Sequence, residues 1–160
     1  MEPKSLVTSG GMGTMGLGLP AAVGAKTGNP HKEVVAFIGD GGFQMTIQEL
    51  GTIMHYGIPV KIIILNNGYL GMVRQWQDMF FNKRYASTEL VNPDFIKIAQ
   101  GYGIPGKIVT ARDELESSLK EMLDAKSAYV LDIHIEKEGN VLPMIEPGSS
   151  VSEIRLNYKS

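Results

Sequence analysis

The run Val60–Leu65 (VKIIIL) constrains the fold more than any other stretch of this chain. It is nearly all apolar, so a strand built from it must be covered on both faces, as parallel strands packed between helices are. The neighbouring text agrees. Glu33–Ile38 (EVVAFI), Lys107–Val109 and Tyr129–Ile135 read as further strands. Between them lie helical patterns: Gly16–Lys26, Thr46–Tyr56 with Thr46 as N-cap, Leu70–Phe81, a helix begun by Asn92-Pro93, and Arg112–Ala125 with Leu115, Leu119, Met122 and Leu123 on one face. Pro20 is tolerable only in a first turn, and Gly57 with Pro59 stops the second helix. Strand and helix alternate, which predicts one α/β domain over 1–160, three layers deep, with a mostly parallel sheet. Residues from Glu136 onward read as an ordered arm or a loop.

In such a sheet the loops at the carboxyl ends of the strands share one edge, and ligands bind there. Gly39-Asp40-Gly41 follows one strand and Asn66-Asn67 ends the next, with 24 residues between Gly41 and Asn66. The pairing sets a carboxylate and an amide oxygen side by side. Those are hard oxygen donors of the kind Mg2+ takes alongside a substrate phosphate, and a main-chain carbonyl near Tyr69 is placed to be a third. Gly41 and Gly42 lack side chains, so their N–H groups can come close to diphosphate oxygens. The bland alternative makes Asp40 a helix cap and the asparagines a turn. A second glycine loop, Gly11 to Gly16, matches G-x-G-x-x-G after the short apolar piece Leu6–Thr8. It is either a dinucleotide fingerprint or a tight turn under a packed helix.

Composition narrows the classes. Fifteen basic and seventeen acidic residues nearly balance, which argues against a nucleic-acid surface, and the absence of cysteine removes disulfides, zinc thiolates and thiol nucleophiles. No stretch is long and apolar enough to suggest a membrane span, and no signal pattern is present. The reading is therefore a cytoplasmic protein. His31, His55 and His134 are scattered, and Glu49, Lys83 and Arg84 read as ordinary helix or surface residues.

The spacing of GDG and NN resembles the motif of thiamine-diphosphate enzymes. The segments SGGMGTMGLGLPAAVGAK, GDGGFQMTIQEL, LNNGYLGMVRQWQDMFFNKRYAST and GNVLPMIEPGSS together resemble the acetolactate synthase large subunit, over nearly the whole chain. The resemblance implies a thiamine-diphosphate-binding fold and a Mg2+ ion held by Asp40, Asn67 and the carbonyl of Tyr69. It implies a cofactor lined by Gly13, Thr14, Met15, Gly39, Asp40, Gly41, Gly42, Asn67, Tyr69, Leu70, Gly71 and Met72, with Met15 propping its bent shape. Met72, Val73 and Trp76 would face the 2-keto-acid substrate. By packing alone, Met15 and Met72 are core filling and Trp76 is a helix aromatic.

The resemblance also implies what lies elsewhere. Members of that family are several times longer, with a pyrimidine-binding domain, supplied by the same or a neighbouring subunit, and a middle domain that binds FAD. The glutamate that activates the cofactor belongs to the pyrimidine-binding domain. A strand and helix would precede the SGG turn, whereas here only Met1-Glu2-Pro3-Lys4 and a few residues do, so an unpaired sheet edge is expected. The activity implied is condensation of two pyruvates, or of pyruvate with 2-ketobutyrate, with loss of CO2, in a homo-oligomer. Three rivals remain at this point: a non-catalytic binding or assembly module, the cofactor subunit of a two-chain decarboxylase, and an NAD-binding oxidoreductase read from Gly11–Gly16.

Overall fold

A computed structural model describes residues 5–157, so Met1 to Lys4 lie outside the described residues. Four strands form one sheet: β1 (Val35–Gly39), β2 (Lys61–Asn66), β3 (Gly106–Val109) and β4 (Tyr129–His134). Their order is β1-β2-β4-β3 and every pairing is parallel. Six helices accompany them: α1 (Gly18–Gly28), α2 (Asp40–Gln44), α3 (Glu49–Tyr56), α4 (Gly71–Phe80), α5 (Phe95–Gly101) and α6 (Leu115–Asp124). None is long and apolar enough to cross a membrane.

The central strands bury both faces, and alternate residues serve different cores. Ile62, Ile64 and Val130 join Leu19, Leu50, Ile53, Phe43 and Phe95 on one side of the sheet. Ile63, Tyr129 and Leu131 join Val109 and Met122 of α6 on the other. The expected three layers are present. Phe43 and Phe95 close the larger core edge to face, with centroids 5.3 Å apart, an arrangement that aligns a ring's positive edge with its neighbour's negative face.

Several boundaries move, for identifiable reasons. Pro20 does fall in the first turn of α1. Gly39–Gly42 is not a loop: Asp40 opens α2 directly from β1. Thr46 does not cap α3. It lies in a turn that continues from α2, where Thr46 N–H bonds Phe43 O and Glu49 N–H bonds Thr46 O, and its hydroxyl donates to Gly16 O at 2.9 Å. Pro93 is not the first residue of α5, because Asp94 caps that helix by accepting from Lys97 N–H at 2.9 Å. Arg112–Glu114 is a separate 3-10 turn before α6, and Leu123, expected on the packed face, is half exposed. The residues after β4 form an ordered arm against α4. Gln75, buried in α4, makes paired 2.8 Å bonds to the N–H and carbonyl of Val141.

The outer side of β1 pairs with no strand among the described residues, and Phe37 in its middle is 68% exposed. That is the open edge the resemblance predicts.

Candidate functional site at the carboxyl edge of the sheet

Register sets the geometry. Gly39 lies opposite Leu65, and Leu65 opposite Ile133, so Asp40, just past β1, lies level with Asn66 and His134, the paired last residues of β2 and β4. A pocket of about 340 Å³ opens there, within the size range of small-ligand sites. Met15, Gly39, Asp40, Gly41, Gly42, Asn67, Tyr69, Leu70, Gly71, Met72 and Val73 all line it, together with Leu65 and Ile135.

Asp40 is 2% exposed, which is costly for a carboxylate unless it is well partnered. Its Oδ2 accepts from Gly68 N–H at 3.0 Å and from Asn92 Nδ2 at 2.7 Å. Its Oδ1 accepts no hydrogen bond among the described residues. Asn67 Oδ1 accepts from Tyr69 N–H at 3.0 Å, folding the chain back after β2. Residues 68–70 are held by a bridge in which Leu70 N–H bonds Thr88 O and Leu90 N–H bonds Gly68 O, and the Tyr69 carbonyl accepts no hydrogen bond among the described residues. Gly68 has φ +68°, the left-handed conformation this turn needs.

Two contacts explain the small residues. A Cβ on Gly41 would lie 3.1 Å from both Leu70 and Leu90 and 3.4 Å from the Met15 methyl. A Cβ on Gly71 would lie 3.1 Å from Asn67 Nδ2. Main chain therefore reaches the pocket wall where a side chain would push the Asp40 and Asn67 turns apart.

A second row of polar groups supports the first. Asn66 donates to Asp132 Oδ1 at 3.0 Å and accepts from Asn92 Nδ2 at 3.0 Å. Asp132 is buried, and desolvation pushes its pKa up, opposed by the Asn66 hydrogen bond and by His134 at 3.7 Å. The sequence reading gave Asn92 only a helix start and did not single out Asp132. An asparagine before a proline, and a lone aspartate in an apolar strand, were the available signals.

Three of the sequence-derived residues stand apart. Gly13 and Thr14 line an adjoining groove beside β1, and their N–H groups are used within a turn on Ser9 O and Oγ at 2.9 Å. Trp76 does not line the pocket but packs on Phe80, 5.1 Å between ring centroids. The dinucleotide reading fares worse: Leu6–Thr8 forms no strand to lead into Gly11–Gly16.

The sequence matches, over residues 1–133, the family described as thiamine pyrophosphate enzyme, C-terminal TPP binding domain. The chain belongs to this family. The TPP-binding domain is 48% identical over 154 residues to the acetolactate synthase isozyme 2 large subunit of Escherichia coli, covering 96% of this chain and 28% of that protein. It is 46% identical over 152 residues to the mitochondrial acetolactate synthase catalytic subunit of Saccharomyces cerevisiae, covering 95% of this chain and 22% of that protein. Among solved structures it resembles the thiamine diphosphate-dependent 4-hydroxybenzoylformate decarboxylase of Rhodococcus jostii RHA1, with TM-score 0.72, 34% identity, and coverage of 76% of this chain and 23% of that one. The domain thus spans about a quarter of the length of these relatives.

Proposed function

We propose that this domain holds the diphosphate end of thiamine diphosphate through one Mg2+ ion, as its part of an acetolactate synthase. The observation that carries the reading is Asp40. A buried carboxylate with one oxygen saturated by two donors and the other unbonded, in one pocket with Asn67 and the spare Tyr69 carbonyl, fits a hard divalent cation. Asp40 Oδ1, Asn67 Oδ1 and the Tyr69 carbonyl are the proposed ligands. Gly39, Gly41 and Gly42 offer main chain to the diphosphate, and Leu70 and Gly71 close the wall behind it. Gly13 and Thr14 would need to give up their turn on Ser9 to take part.

The bound cofactor supplies the electron sink by which a 2-keto acid loses CO2. The domain's own residues bind, orient and exclude water. Met15, Met72 and Val73 are about half exposed at the rim, apolar surface suited to the cofactor's rings, the substrate and a covering partner domain. Trp76 lies one turn further along α4 from Met72 and would reach only the larger acceptor. No glutamate lines the pocket, so the proton chemistry at the pyrimidine falls to a pyrimidine-binding domain of the same or another subunit. The whole enzyme would condense pyruvate with a second 2-keto acid, with FAD on a separate domain, as a homo-oligomer in the cytoplasm.

Two measurements test this. Calorimetric titration of the chain with thiamine diphosphate should show binding with Mg2+ and none after chelation. Incubation of the chain alone with pyruvate, Mg2+ and cofactor should yield no acetolactate, since a missing acid–base partner removes about 10²–10⁴-fold in rate. Metal-independent binding contradicts the proposed site, and turnover near an ordinary ~10 s⁻¹ contradicts the division of labour.

A further inference from the structure

We infer that Asn92 is a positioning residue for the cation, holding the Asp40 carboxylate by one oxygen so that the other stays free for it. The inference rests on the reading of Asp40 as a ligand. Asn92 lies 52 residues from Asp40 and 26 from Asn66, in the segment before α5. Its Nδ2 donates to Asp40 Oδ2 at 2.7 Å and to Asn66 Oδ1 at 3.0 Å, while its Oδ1 accepts from Gln44 Nε2 at 2.8 Å. All three contacts fix the same orientation of the amide. Turned over, its oxygen would face the Asp40 carboxylate, which has no proton to give when ionised, and its NH2 would face the Gln44 donor.

Direction propagates along the row. Gln44 donates to Asn92, Asn92 donates to Asn66, and Asn66 donates to Asp132 at 3.0 Å, joining the end of α2 to β2 and β4. Asp40 is the one branch. Because Asn92 and Gly68 N–H both converge on one oxygen, they fix the plane of the carboxylate, and tilting it to present both oxygens to a cation would cost two bonds. Oδ1 is thereby reserved. Outer partners of this kind orient metal ligands, and their loss typically weakens metal binding by about 10–100-fold. A tie that served only the fold would change stability and leave the cation's surroundings alone.

The test uses Mn2+ as the probe, titrated into the full chain with thiamine diphosphate and followed by electron paramagnetic resonance, with melting of each metal-free protein measured in parallel. Asn92→Ala should weaken Mn2+ by about tenfold or more and alter the line shape of the bound ion. Gln44→Ala, at the exposed end of the row, should fold normally and weaken Mn2+ less, in the same direction. If Asp40→Ala abolishes binding while Asn92→Ala and Gln44→Ala bind Mn2+ like the parent with the same line shape, the inference falls and the site stands. Should Asn92→Ala fail to fold, an unchanged Mn2+ affinity in Gln44→Ala overturns the inference by itself. If the parent chain binds no Mn2+, or Asp40→Ala binds it equally well, the site reading falls and takes this one with it.

Discussion

At the carboxyl edge of the sheet Asp40 and Asp132 are 2% and 3% exposed, and at the opposite edge Lys26 and Lys61 are 4% and 1% exposed. Burial is equally costly at both ends, yet the partners differ in kind. Lys61 Nζ donates to the carbonyls of Ala125 and Ser127 at 2.6 and 2.7 Å, and Lys26 Nζ donates to Lys32 O at 2.6 Å with Glu33 at 4.0 Å. These ammonium groups satisfy main-chain oxygens left over where α6 ends and β1 approaches. The carboxylates instead meet the amides of Asn66 and Asn92 and the Gly68 N–H, with His134 at 3.7 Å from Asp132, and no lysine or arginine pairs with either among the described residues. Charge at the amino edge is consumed by the fold. At the carboxyl edge the carboxylates are oriented by these partners, and one oxygen of Asp40 is left without a hydrogen bond among the described residues, which a divalent cation can take up.

The comparison can be broken most forcefully by removing one charge from each end. Asp40→Ala should weaken Mg2+-dependent cofactor binding by more than about 100-fold, beyond the loss seen for outer partners of a metal, with a smaller stability loss in the metal-free chain than Lys61→Ala, because removing a buried charge offsets the two donors left unpaired. Calorimetry and thermal melting check both halves. Lys61→Ala should do the reverse, costing about 3 kcal/mol in urea unfolding, since two charge-assisted bonds to part-buried carbonyls disappear, with cofactor affinity unchanged. An Asp40 variant destabilised as much as the Lys61 variant, or a Lys61 variant that loses cofactor affinity, would erase the distinction.

A subtler effect follows from pH. Burial lowers the Lys61 pKa below 10.5, with Glu33 opposing the shift. Between that lowered value and 10.5 the unfolded chain binds the extra proton, so the Lys61 contribution to stability rises with pH in this window. Comparing the parent with Lys61→Met across alkaline pH isolates it: the parent should gain on the variant as pH climbs, and parallel curves would contradict the account. Smallest of all, Trp76→Leu should leave cofactor affinity within about 0.5 kcal/mol, as substitutions away from a site do.

The same contrast explains what could be read in the sequence. VKIIIL announced a doubly covered parallel strand because its burial depends only on local pattern, and Asp40 with Asn67 could be paired because parallel strands bring their ends to one edge. Lys61 sits inside that apolar run, and its carbonyl partners are 64 and 66 residues away, beyond the reach of any local pattern. Asn92 was absorbed into a helix start, yet Asp94 holds that role and frees Asn92 to reach Asp40. Thr46 failed as a cap for a similar reason: Gly16 O, 30 residues back, claims its hydroxyl. Local chemistry was legible in each case, and the distant partner that overrode it was not.

The central claim is that the carboxyl edge, where one oxygen of Asp40 is left unbonded, is where the cation sits. A crystal structure of the chain grown with Mg2+ and thiamine diphosphate tests it directly. The account predicts an octahedral ion at about 2.1 Å from Asp40 Oδ1, Asn67 Oδ1 and the Tyr69 carbonyl, with Asp40 Oδ2 still bonded to Asn92 and Gly68. A diphosphate bound away from this pocket, or an ion that Asp40 does not touch, would contradict it.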